Sequence, residues 1–188
     1  MKKVILIALL SVTYLGLSQA QVELKVNPVR ILIFNSADLV GEYIVNENIG
    51  VELGAGVLYG DYGKIVNLDF DRSGARLFAA GKYYFIPKNG GDNLYAGIYL
   101  RPKKVSYVDN NLDDYDYGFK QSSFGVGLMA GYKWVGNQGL IFELGAGFGR
   151  GVLKKNTYND NSNTIKLPSL KIDGFLRLSV GYRFGGNN

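Results

Sequence analysis

The stretch Gly174 to Phe184, GFLRLSVGYRF, alternates strictly in polarity. Leu176, Leu178, Val180, Tyr182 and Phe184 fall on one face of an extended chain, and Arg177, Ser179, Gly181 and Arg183 on the other. A period of two is the signature of a β-strand with one apolar and one polar side. The same period recurs along the chain and predicts eight strands, over 22–34, 38–45, 49–59, 74–86, 93–107, 119–135, 139–153 and 173–184. Asn46-Glu47-Asn48, Lys88 to Asn93 and Gly136 to Gly139 read as tight turns rich in Asn and Gly. The segments 60–73, 108–118 and 154–172 read as long polar loops at the opposite end, and the connection near Asn35 to Asp38 as short. The first strand is the irregular one. Pro28 removes a ladder donor and the parity shifts between Val29 and Phe34, so a bulge is expected there.

Alternation alone does not say which face is inside. A soluble barrel that holds a lipid has an apolar interior; a barrel that spans a membrane has the reverse. Three features favour the reverse. The polar faces carry Glu42, Glu52, Arg76, Lys82, Arg101, Lys133, Glu143, Arg177 and Arg183, interleaved with glycines such as Gly54, Gly97, Gly127, Gly145 and Gly181. Glycine weakens a strand and has no use on a solvated face, whereas a crowded lumen needs the room. Aromatic residues gather on the apolar faces toward the turn end: Tyr43, Tyr83, Phe85, Tyr132, Trp134, Tyr182 and Phe184 predict an interfacial girdle. Phe124, Phe148 and Tyr59 suggest a second row at the loop end. Between the rows the apolar faces are uncharged, as in Leu53-Ala55-Val57 and Val126-Leu128-Ala130. The ten steps from Phe124 to Trp134, at ~3.3 Å each and a tilt of ~40°, rise roughly 25 Å, the height of such an apolar band.

Residues 1–20 carry the marks of a secretory signal: Lys2 and Lys3, the apolar run from Val4 to Leu10, and the small-x-small site Ser18-Gln19-Ala20. The expected mature domain is therefore 21–188, beginning at Gln21. The chain has no Cys and no His, which removes disulfides, thiol chemistry, Ser-His-Asp arrangements and histidine metal sites. No paired acid and base stands out among the remaining residues, so no enzymatic activity, cofactor or metal centre is expected. The net charge of +5 falls to about +3 without Lys2 and Lys3, and its scatter predicts no nucleic-acid partner.

The closing YRF at Tyr182 to Phe184, the strand FGVGLMAGYKW from Phe124 to Trp134 and KYYF at Lys82 to Phe85 resemble the small eight-stranded outer-membrane proteins, the OmpA-type transmembrane domain, OmpX and OmpW among them. The resemblance implies an all-β, antiparallel up-and-down barrel in the outer membrane of a Gram-negative bacterium. It also implies contact with lipid and lipopolysaccharide, and recognition of the last strand by the barrel-assembly machinery. The expected role is structural or surface-interacting, through the long loops and an unknown partner. A narrow passage for small hydrophobic or ionic solutes, as in OmpW, is the alternative, and a soluble periplasmic lipid-binding barrel the third reading.

Four motifs bear on chemistry. VELGAG at 51–56 and FELGAG at 142–147 each set a Glu and two Gly on the polar face, which reads as one packing problem solved twice. Glu52 and Glu143 share a face with Arg76, Arg101 and Arg177, and each is expected to be paired with a basic group, Arg or Lys, because a buried unpaired charge is costly. GAGFGRG at 145–151 opens no helix and follows no βαβ unit, which argues against a nucleotide loop. Asp69, Asp71 and Ser73 resemble half a calcium loop, but Ala80 stands where the bidentate Glu belongs. With Asp109, Asp113, Asp114 and Asp116 they read as solvated acidic loops.

Overall fold

The computed structural model describes residues 21–60, 70–109, 118–159 and 172–185. The expected signal, most of the three long loops and the acidic residues Asp69, Asp113, Asp114 and Asp116 lie outside them.

Eight antiparallel strands close into an up-and-down barrel in which each strand pairs with its sequence neighbours and the last pairs with the first. They are β1 (Gln21–Val26), β2 (Ser36–Asn46), β3 (Ile49–Leu58), β4 (Phe70–Tyr84), β5 (Asn93–Asp109), β6 (Gly118–Val135), β7 (Leu140–Asn159) and β8 (Ile172–Phe184). The three Asn/Gly turns fall at one end, together with Gln21 and Phe184. In the first turn the Asn46 side chain accepts hydrogen bonds from the Asn48 and Ile49 amides, at 2.9 Å each, and so fixes the reversal. In the second, the buried Asp92 carboxylate accepts from the Lys88 and Asn89 amides at 2.6 and 3.0 Å. The third turns at Gly139, whose φ of 81° suits glycine.

The strand expected over 22–34 ends at Val26. Pro28–Ile33 forms a short helix, α1, rather than a bulged strand. The reason is local. The Asn27 side chain accepts from the Arg30 amide at 3.1 Å, and Pro28 sits where a helix needs no N–H. Irregular register occurs instead between Ile44 and Asn46 and between Phe124 and Gly125. Several strands run further toward the loop end than expected. Phe70 to Ser73, Val108, Asp109, Gly118 and 154–159 are all strand.

Helix α1 fills a seam. β1 pairs with β8 only from Val22 to Val26, opposite Phe184 to Val180. Above Val26, β2 continues to Ser36 and β8 to Ile172 without β1 between them. The helix packs against both. Its Leu32 and Ile33, and Phe34 just beyond, are left exposed.

Side chains sort by alternation into two populations. Those pointing outward are apolar and exposed: Leu53, Val57, Leu77, Ile98, Leu128, Leu144, Phe148 and Leu176 are examples. Charge enters the outward face at Lys104, Lys120 and Arg150, all toward the loop end. Those pointing inward include Glu23, Lys25, Glu42, Glu52, Lys82, Lys133, Glu143 and Arg177, all buried. An arrangement with the apolar face inside, required of the soluble lipid-binding alternative, is not the one adopted.

The interior is largely filled, as eight strands allow. Tyr84, Tyr95, Tyr99, Met129 and Ala80 form its apolar cluster, with Phe78 and Phe175 packed against it. Glycines on the adjoining strands β6 and β7 accommodate these rings. Gly131 and Gly145 face each other across β6 and β7. A Cβ on Gly131 would stand 2.5 Å from the Tyr95 hydroxyl oxygen. Gly127 and Gly149, likewise paired, make the same room for Tyr99. Gly81, by contrast, has nothing within 4 Å of where a Cβ would lie. Gly131→Val should therefore cost about 1–3 kcal/mol of stability through overpacking, while Gly81→Ala should be neutral or slightly stabilising. Denaturant unfolding of both variants under one set of conditions checks this; equal losses would contradict the packing described.

Candidate functional site

The inward charges are organised by height along the barrel. Alternation selects which residues enter the lumen, and strand register decides which of them meet.

At the turn end, Glu23 of β1 receives Arg183 of β8 at 2.6 Å and Lys133 of β6 at 2.9 Å. Arg183 also donates to the Asn89 and Gly91 carbonyls, at 2.7 and 3.2 Å. The second turn is thereby tied across the base of the lumen.

In the middle lie three carboxylates, Glu42 of β2, Glu52 of β3 and Glu143 of β7, with oxygens all within 4.8 Å of one another. Two ammonium groups bridge them. Lys25 reaches Glu42, Glu52 and Glu143 at 2.5, 2.8 and 2.5 Å. Lys82 reaches the same three at 3.0, 2.6 and 2.8 Å. Arg177 completes the set, with one arm on Glu52 and the other on Glu143 at 2.6 Å. Two tyrosines donate into it, Tyr84 to Glu42 at 2.5 Å and Tyr95 to Glu143 at 2.7 Å. The rings also carry the cations on their faces: Lys82 lies 4.6 Å from the Tyr95 centroid and Lys133 4.5 Å from that of Tyr84. A carboxylate triplet at this spacing has the donor set of a cation site; here the Lys25 and Lys82 ammoniums supply the positive charge at its centre.

Toward the loop end the pairs separate. Arg76 of β4 holds Asp38 of β2 through both oxygens, at 2.6 and 2.7 Å, and also donates to Ser36 at 2.5 Å. Arg30 of α1 lies 3.4 Å from the same carboxylate. Arg101 of β5 pairs with Asp173 of β8 and donates to the Gly174 carbonyl at 3.0 Å.

Glu52 and Glu143 are each paired with basic groups, Lys25, Lys82 and Arg177; of the three arginines on their face only Arg177 meets them. Arg76 and Arg101 share the lumen but sit nearer the loop end, where Asp38 and Asp173 meet them. Glu42, Lys82, Lys133 and Arg183 join the buried network as described. Sequence reasoning missed Glu23 and Lys25, although they alternate with Val22, Leu24 and Val26. It also missed Asp38 and Asp173, which lie among the first residues of strands beside loops. The echo of VELGAG and FELGAG ends in one place, since both glutamates bind the same two lysines and Arg177.

Of the seven girdle aromatics, Tyr43, Tyr83, Phe85, Trp134, Tyr182 and Phe184 are exposed at the turn end of the outward face. Tyr132 is half-buried, donating its hydroxyl to Asn93 at 2.9 Å. They pack in pairs: Tyr132 with Trp134 at 4.4 Å between centroids, Tyr182 with Phe184 at 4.9 Å and Tyr83 with Phe85 at 5.4 Å. Phe148 and Tyr59 are exposed and Phe124 is half-buried toward the other end.

No family model matches the chain, and no curated protein does. A major outer membrane protein from Thermus thermophilus is a solved structure that overlays on it with a TM-score of 0.42 and 16% identity, over 88% of this chain and 99% of that one.

Removing one member of the central cluster leaves its partners buried without compensation. Glu143→Ala deprives Lys25, Lys82, Arg177 and Tyr95 of an acceptor and should cost about 3–5 kcal/mol. Glu143→Gln, which keeps an acceptor, should cost less. Leu144→Ala, one residue along on the outward face, should be milder than Glu143→Ala. Denaturant unfolding of the three variants in one detergent measures the order. A collapse of Leu144→Ala with Glu143→Ala at wild-type stability would reverse the assignment of faces.

Proposed function

We propose that this chain is a β-barrel protein of a Gram-negative outer membrane, with a structural or surface-interaction role exerted through the long loops opposite its tight turns. The inversion of its two faces carries the reading. An exterior of exposed Leu, Val, Ile and Phe around the wall is unsuited to water, where contiguous apolar patches of this extent are rare. It suits hydrocarbon, in which a closed barrel satisfies its backbone groups between its own strands. The aromatic row at the turn end fits the level of lipid headgroups, and Lys104, Lys120 and Arg150 fit the polar level at the other.

The filled mid-section of the lumen favours a structural role over transport. Lys25, Lys82, Lys133 and the four glutamates are fully buried and cross-linked through the middle of the barrel. A solute passing through would have to displace buried ion pairs, each strongly held in a low-dielectric interior. The seam beside β1 and the loops beyond 60, 109 and 159 are the surfaces through which partners, lipopolysaccharide included, would be met.

The protein should fractionate with the outer membrane, require detergent for extraction and migrate differently on gels before and after boiling. Recovery in the soluble periplasmic fraction would refute the membrane reading. Reconstituted in planar bilayers it should give no steady single-channel conductance. Reproducible conductance that responds to Lys82→Met would instead favour a passage.

A further inference from the structure

Between the Arg76–Asp38 and Arg101–Asp173 pairs the lumen opens into a small cleft. Arg30, Arg76, Arg101 and Arg177 line it, along with Asp38, and its apolar walls include Val40, Phe78 and Phe175. The guanidiniums are held over aromatic faces: Arg101 lies 5.1 Å from the Phe175 centroid and Arg177 5.2 Å from that of Phe78.

The charges around this cleft do not balance among the described residues. Arg177 is spent on Glu52 and Glu143 below, and Arg101 on Asp173. Arg76 and Arg30 are left to share Asp38, and Arg76 takes it bidentately. Arg30 is left with a 3.4 Å contact to a carboxylate already engaged, though its side chain is only 16% exposed. Lys103, two residues outward of Arg101 on the same face, adds a cation to the side where Arg76 and Arg101 stand. In addition, the Nε of Arg177, a side chain more than nine-tenths buried, finds no acceptor among the described residues. Surplus buried positive charge and an unfilled donor are both costly, and a bound anion relieves the first.

We propose that this cleft is a binding site for a small organic anion, a carboxylate carried on an apolar body. The carboxylate belongs with Arg30, whose planar fork matches its geometry and is not taken up by Asp38 as that of Arg76 is. The apolar body belongs against Phe78, Phe175 and Val40. Apolar walls with a few convergent polar groups are the usual make-up of a small-molecule site. The site lies in the lumen, so it stands or falls independently of whether the outer face meets lipid.

The test is isothermal titration of the full chain in a non-ionic detergent with benzoate, with acetate as the same head without the body, and with benzylammonium as the same body with opposite charge. Benzoate should saturate at one per chain, at least tenfold tighter than acetate, and benzylammonium should not bind. Arg30→Gln, on the helix and outside the strand ladder, should weaken benzoate at least tenfold, while Arg30→Lys retains most of the affinity. Heat-modifiable gel mobility verifies that each variant is folded. Lys104→Gln, on the outward face, should leave binding unchanged. Equal affinity for benzoate and acetate, binding of benzylammonium, or benzoate binding untouched by Arg30→Gln would each overturn the proposal. So would an absence of saturable heat from wild-type protein, which would mean that the chain's own groups already balance the site.

Discussion

The structure depends on keeping a cluster of ionised side chains inside a closed wall with each charge met by an opposite one. Lys25 is the group on which this turns. Like Lys82 it reaches Glu42, Glu52 and Glu143 together, and it also comes within 3.9 Å of Glu23. Without cations at that point three carboxylates would repel one another in a medium of low dielectric. With Lys25, and with Lys82 beside it, repulsion becomes a set of short bridges. The bridges join strands that are not neighbours: β1 to β7, β3 to β8 and β4 to β7. Backbone hydrogen bonds hold the wall around its circumference, and the ion pairs hold it across its diameter.

This division of labour explains the composition. With the outward face apolar, the polar residues of each alternating strand go inward. Long side chains from opposite walls then compete for a narrow space. Tyr95 and Tyr99 lie across the neighbouring strands β6 and β7 only because Gly127, Gly131, Gly145 and Gly149 stand there. Glycines that would weaken an ordinary strand are tolerated because the ring occupying their place also donates to the network, as Tyr95 does to Glu143.

Alternation made the sidedness of β2 to β8 legible, and with it most members of the lumen and the aromatic row. Three things escaped. Pairing partners escaped because period two reveals which face a residue occupies but not its height. Arg76 and Glu143 share a face and yet belong to different levels. The short helix escaped because apolar residues from Val29 to Phe34 continue the look of a strand, although Asn27-Pro28 is a helix start by capping chemistry. Reading the strand through Pro28 also obscured Glu23 and Lys25, whose alternation spans only six residues. Asp38 and Asp173 escaped because an acidic residue beside a loop looks solvated. It is the inward turn of the first strand residues that brings them to Arg76 and Arg101.

The seam gives the barrel a mechanical character that differs from one end to the other. At the turn end the wall has eight strands; at the loop end a helix stands in for one of them. β1 is the shortest stave, zipped to β8 over Val22–Val26 alone, whereas β6 and β7 are zipped from Gly118 to Val135. A pull on the N-terminal end would load that short ladder first. Yet the same six residues carry Lys25 and Glu23, so peeling the stave also drags the central cation out of its socket. The shortest zipper in the wall thus carries the central cation, so opening the one disturbs the other.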